Sequence, residues 1–279
     1  MKLLSRFAKE GAMKRKKRLA LFMILSITQL FIAVFIVVKR EDFIYLFPAK
    51  EPQTLRDLAY DRDKRLGYTV LVKEDGKRVP YLVLTKNYIG QGHVLLLRKY
   101  LVDPPMAFRE GWEEAYYGQS IPDAFMQKDF IQRLSKDVQE NIPLTELGIK
   151  PSEENAGTGH IEKIKRKLFL LSDIDVGNYK YRVRFEDDCN LMYFKRKGGV
   201  KEGRLAYLEG DFTPYSWWLR TAFATASTVV SAVDYEGMLS GGGVVYPAHI
   251  RPAFTLPPET EVEKQESDGQ IIYVLKIDK

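Results

Sequence analysis

Three histidines, one cysteine and a few paired acids are the residues of this chain with the widest chemical reach, and their spacing gathers none of them into a site. His93, His160 and His249 lie far apart, without a His-x-x-x-His or related metal-ligand interval. Each reads as a core or surface histidine. Cys189 stands alone, so it closes no intramolecular disulfide and supplies no multi-thiolate metal site. Asp173 with Asp175, and Glu186 to Asp188, carry the oxygen ligands calcium takes, but no loop of regular oxygen spacing surrounds them. They read as solvated carboxylates. Gly241-Gly242-Gly243 permits a tight loop yet lacks the lysine of a phosphate cradle. Neither a G-x-S-x-G elbow nor a P-loop occurs. The expectation is a protein without catalytic residues, metal or cofactor.

Binding is the chemistry left. Trp217 and Trp218 are adjacent, so on a strand they point to opposite faces and only one enters a given core layer. Trp218, with Phe223, Tyr235, Tyr246 and His249 from the segments around TAFATAS (221–227) and SGGGVVYPAH (240–249), is a candidate lining of a shallow ligand surface. Ordinary packing of these side chains, with both tryptophans in the core, is the alternative. Arg220 and Arg251 sit among apolar strand residues, where a guanidinium ties strands or loops by fork-shaped hydrogen bonds. With Trp217, Leu219, Gly237 and Pro252 they form a structural framework.

The positioning elements begin with charge. Residues 1–18 hold eight of the 43 basic residues and one of the 37 acids, which leaves 35 basic against 36 acidic residues over 19–279. The large part of the chain is balanced, so no nucleic-acid partner is expected despite the pI of about 9.1. Residues 19–38 are uncharged and almost wholly apolar, and twenty residues at about 1.5 Å each match the hydrocarbon thickness of a bilayer. Five successive cations, Lys14 to Arg18, precede this span, and Glu41 and Asp42 follow Lys39 and Arg40, which orients the N-terminus to the cytoplasm. No small-residue cleavage site follows, so an uncleaved anchor is expected rather than a signal peptide. The predicted order is a basic cytoplasmic tail (1–18), a transmembrane helix (19–38), a tether (39–65) with a short helix near Leu55, and an extracytoplasmic α+β domain (66–279).

Within that domain, residues 68–84 read as a hairpin around Glu74-Asp75-Gly76-Lys77, and Val94 to Leu97 as a buried strand. Ser120, Pro122 and Asp123 open a helix whose apolar positions Phe130, Ile131, Leu134 and Val138 carry it to about Asn141. Further strands are expected at Lys167–Leu171, Tyr181–Phe185, Val229–Val233, Val244–Tyr246, Ile250–Leu256 and Ile271–Ile277. Helices fall early and antiparallel sheet late.

Tyr215-Ser216-Trp217-Trp218-Leu219-Arg220, the turn at Asp234–Gly237 and Ile250-Arg251-Pro252-Ala253-Phe254 resemble a bacterial domain family of unknown function, DUF6273, with its WWLR-type strand and closing V-R-P-A-type strand. Pro80–Leu84 (with Tyr81 where tryptophan is usual), Leu95–Asp103, Tyr117–Ile121 and Phe169–Ser172 are similar to other blocks of it, so the resemblance covers roughly 66–256. It implies a C-type-lectin-like scaffold, a group that includes formylglycine-generating enzymes. Those enzymes rely on paired cysteines, which a lone Cys189 does not match. The expected function is a surface-displayed, non-catalytic binding module of the bacterial envelope, with a glycan, wall component or protein as ligand. The alternatives are an envelope assembly component and, third, an enzyme with an unfamiliar site.

Overall fold

The computed structural model describes residues 51–59, 68–150, 161–178, 191–196, 200–223, 226–267 and 270–277. The span at 19–38, His160, Glu186–Asp188, Cys189 and the strand expected at Tyr181–Phe185 lie outside the described residues. Among the described residues no helix is long and apolar enough to cross a membrane.

The described chain is a mostly-β domain with mixed sheets and a few short helices. It opens on α1 (Leu55–Leu58), whose Leu55 and Leu58 are fully buried. The packed unit therefore starts at Pro52, inside the stretch read as tether. The hairpin forms as β1 (Thr69–Glu74) and β2 (Lys77–Thr85), turning through Asp75 and Gly76 at positive φ. β3 (Val94–Arg98) is buried along its length. These strands join β7 (Leu168–Phe169), β12 (Ala253–Leu256), β13 (Val262–Ser267) and β14 (Gln270–Leu275) in a seven-stranded sheet ordered β13-β14-β1-β2-β3-β12-β7. A five-stranded sheet holds β4 (Val102–Met106), β8 (Trp217–Ala222), β9 (Val229–Val233), β10 (Leu239–Gly243) and β11 (Ala248–Ile250) in the order β10-β9-β8-β11-β4. β5 (Thr145–Ile149) pairs with β6 (Glu162–Arg166) separately. β1 with β14 and β11 with β8 run parallel, so the expected antiparallel sheet is mixed.

The helix expected over 121–141 is broken. Ser120 caps α2 (Ile121–Lys128), accepting from the Asp123 N–H at 3.1 Å. A 3-10 turn (Phe130–Arg133) follows, and Leu134 is extended because it bridges Glu74 while the Ser135 N–H donates to the Lys73 carbonyl. Ser135 then caps α3 (Lys136–Asn141). The apolar positions still enter the core, but through three short pieces. The strand expected at Val244–Tyr246 is a turn, and β10 lies just before it. Ile250–Leu256 is divided at Arg251-Pro252, where the Pro252 carbonyl accepts from the Arg98 N–H at 2.9 Å.

Buried apolar residues from Leu55 to Leu275 form one cluster. Among the described residues two ion pairs, Arg98–Glu74 and Arg220–Asp175, are buried with it. Arg98 on β3 grips both carboxylate oxygens of Glu74 at 2.9 and 3.0 Å, and the Tyr81 hydroxyl donates to the same carboxylate. Helices α4 (Met192–Arg196) and α5 (Val200–Arg204) both precede β8 in sequence. Gly237 has φ +77°, and a Cβ there would stand 2.2 Å from the Lys201 carbonyl oxygen. Gly237→Ala therefore costs about 1–3 kcal/mol through strain and displaced backbone. Urea unfolding reads this as a lower midpoint at unchanged slope.

Candidate binding face

The two tryptophans are structural. β8 is buried on both faces. Trp217 donates its indole N–H to the Arg204 carbonyl at 3.1 Å, and the Arg251 guanidinium lies 5.4 Å from its ring centre. Trp218, 2% exposed, donates to the Met106 carbonyl at 2.9 Å and meets Phe108 edge-on. It cannot form a ligand platform. His249 is also buried, its Nδ1–H donating to the Val102 carbonyl at 2.9 Å and its ring against Tyr215. A carbonyl only accepts, so that contact sets the tautomer. Both residues leave the candidate surface because packing and hydrogen bonding consume their faces.

The aspartates read as solvated are buried as well. Asp175 Oδ2 accepts from Arg220 Nη1 at 3.1 Å, from the Tyr88 hydroxyl at 2.8 Å and from the Ser172 N–H at 2.8 Å. Asp173 accepts from the Asn178 amide and the Thr221 hydroxyl. Burial pushes both carboxyls above the usual carboxylate range, opposed for Asp175 chiefly by Arg220 and for Asp173 by its hydrogen bonds to Asn178 and Thr221. Leu219 is fully buried between these layers. Arg251 donates to the Arg98 and Lys99 carbonyls, and burial pulls its guanidinium down to about 10, still a cation at neutral pH. These groups hold the sheets together and face no solvent. Among the described residues no three His, Cys, Asp or Glu side chains are placed to hold a metal.

The exposed chemistry gathers along β10. Its glycines serve as a bed for rings. A Cβ on Gly241 would stand 3.0 Å from Phe223, and one on Gly243 would stand 3.1 Å from both Trp112 and Tyr246. On the opposite face a Cβ on Gly242 would stand 2.5 Å from Trp218. Residues two apart on a strand share a face, so Phe223 and the Trp112–Tyr246 pair sit on one side, over glycines about 7 Å apart along the strand. Phe223 is 37% exposed, and Trp112 and Tyr246 are each 61% exposed. The latter two meet edge-on at 5.7 Å between ring centres.

The loop bearing Trp112 is pinned rather than loose. Phe108 and Arg109 donate their N–H groups to the Val244 carbonyl at 2.7 and 2.9 Å, and the Ala115 N–H donates to Ser227. Arg109 pairs with Glu113 and with the Gln119 carbonyl, while Lys150 Nζ donates to the Phe223 carbonyl. Tyr235, also exposed, projects from the turn at the far end of the β9–β10 hairpin and is separate from this group. The structure thus joins Phe223 and Tyr246, sets Tyr235 apart, and adds Trp112. Trp112 lies in the polar stretch Arg109–Glu114, where no hydrophobic period marks it; an isolated tryptophan among charges is the only signal the sequence offers.

A buried two-sheet framework carrying a group of exposed rings defines a mostly-β domain with a presented aromatic face. The chain matches the family model of a domain of unknown function, DUF6273, over residues 91–258, and it belongs to that family. The match takes in β8, the Asp234–Gly237 turn and the Arg251-Pro252 junction, and begins after Pro80–Leu84. No curated protein and no solved structure matches the chain.

Proposed function

We propose that this protein is a non-catalytic binding module of the bacterial cell envelope, held outside the cytoplasm by the span at 19–38, and that it takes its ligand on Phe223, Trp112 and Tyr246. The observation that carries this reading is the bedding of three solvent-facing rings on a glycine strand. Large apolar rings are ordinarily buried, and a pinned loop that holds them in water has already met the ordering cost of binding. The reading takes the scaffold as C-type-lectin-like, supported by the WWLR and RPA segments, and places the anchor by its apolar length and basic flank.

The test uses the full-length protein in detergent with solubilised envelope polysaccharide and envelope protein as separate probes. Trp112→Ala and Tyr246→Ala each leave unfolding within about 0.5 kcal/mol of the parent, as surface changes do. Each weakens binding by roughly 2 kcal/mol, about thirtyfold, as removal of a central aromatic anchor does. Retained binding in both variants would remove the face from the account. Replacing residues 19–38 by an unrelated span leaves binding intact; loss of binding on that exchange would favour the assembly role.

A further inference from the structure

Open strand edges attract other strands, and proteins blunt them with charge, proline or shortness. Most edges here are blunted. β13 carries Glu263, Lys264 and Glu266, β4 carries Pro104 and Pro105, and β7 is two residues long. In the small sheet, β6 is Glu-Lys-Ile-Lys-Arg, and β5 carries Glu146. β10 differs: Leu239-Ser240-Gly241-Gly242-Gly243 has no charge and no proline, and it ends the five-stranded sheet, with no described strand beyond it.

The direction of its backbone groups follows from the register. The Val244 N–H donates to the Thr228 carbonyl at 3.0 Å, next to the Gly243–Val229 pair. Antiparallel ladders alternate, so Gly242 and Ser240 turn their N–H and C=O groups toward β9, while Gly241 and Leu239 turn theirs outward. Gly241 is exposed. Cβ atoms stand off the faces of a strand, so the rings that forbid a Cβ here lie over its faces. The glycine bed that presents Phe223, Trp112 and Tyr246 therefore also leaves a bare backbone beside them.

We propose that β10 is a strand-addition site, and that its occupant is an extended, uncharged peptide segment of another protein, which extends the sheet along Leu239–Gly242. Backbone groups of Gly241 and Leu239 supply the hydrogen bonds. Alternate side chains of the incoming strand fall on the face of Phe223 and the Trp112–Tyr246 pair, which selects apolar or aromatic residues at every second position. The inference deepens the binding-module reading by naming a ligand class for the same face.

A random heptapeptide library displayed against the full-length protein in detergent tests it. The expected result is enrichment of uncharged peptides with apolar residues at alternate positions. N-methylation of one alternate set of their backbone amides weakens binding at least tenfold, and the other set leaves it nearly unchanged. Ser240→Lys, checked for an unchanged melting temperature, weakens the same peptides at least tenfold. Failure to enrich any peptide, or equal tolerance of both N-methylated sets, would overturn the proposal. So would a protein dimer in sedimentation velocity that Ser240→Lys converts to monomer, since a second copy would then occupy the edge. If Trp112→Ala abolishes binding that N-methylation spares, strand addition falls and the binding face stands. If N-methylation-sensitive binding ignores Trp112→Ala and Tyr246→Ala, strand addition stands and the aromatic face falls.

Discussion

Replacing Arg220 by methionine lowers stability at pH 7 by about 3–5 kcal/mol, because it leaves the buried Asp175 carboxylate without its cation. Arg220 Nη1 reaches Asp175 Oδ2, the Tyr88 hydroxyl and the Leu170 carbonyl at 3.1, 3.1 and 2.9 Å. Neither Arg220 nor Asp175 exposes any side-chain surface. The loss is a large share of the roughly 5–15 kcal/mol that holds a typical domain folded. Asp175→Asn in the Arg220→Met background recovers part of it, and the cycle gives a coupling energy of roughly 1–3 kcal/mol. The pH dependence has a definite sign. The folded-state pKa of Asp175 is already raised by burial, and loss of Arg220 removes its chief opposing cause. An acid whose folded pKa is raised weakens the fold when ionised, so the penalty is full above the folded pKa and fades as pH falls toward the unfolded carboxyl value. The gap between Arg220→Met and parent therefore narrows from pH 7 toward pH 4. Denaturant unfolding at the two pH values measures it, and a gap independent of pH would place the cost elsewhere.

Trp217→Ala costs about 3–5 kcal/mol, the range for truncating a large aromatic core residue. Trp217 is fully buried, its indole N–H satisfies the Arg204 carbonyl, and its face carries Arg251. Arg204 in turn donates to the Val176 carbonyl at 2.7 Å, so the ring's loss reaches α5 as well as β8. Trp112→Ala is the contrast: one tryptophan carries a large share of the stability, the other nearly none. Thermal unfolding of both variants side by side checks the pair, and similar melting temperatures would contradict the division between core and face.

The elements legible in the sequence were those with a local signature. β1 and β2 declared themselves through β-branched residues around an Asp-Gly turn, and Ser120 with Pro122 marked the start of α2. The break in the helix expected over 121–141 was not local: Leu134 is extended because it meets Glu74, some sixty positions earlier. β4 was hidden by its two prolines, which read against a strand but are tolerated at an edge. Asp173 and Asp175 looked like solvated acids because their partners, Thr221 and Arg220, sit more than forty residues away. The proposed binding face was half visible. Phe223 and Tyr246 flank a glycine run that catches the eye, whereas Trp112 reaches that run only through the fold, and Trp218 and His249 were drawn inward by carbonyls on β4.

The chain holds three tryptophans, and their burial differs enough to make them reporters. Acrylamide quenching of the full-length protein in detergent, repeated with envelope extract, tests the binding face most directly. The expected result is one quenchable tryptophan, abolished by Trp112→Phe and shielded by the extract, with the other two resistant throughout. Quenching of Trp112 that the extract leaves unchanged, or equal quenching of all three, would contradict it.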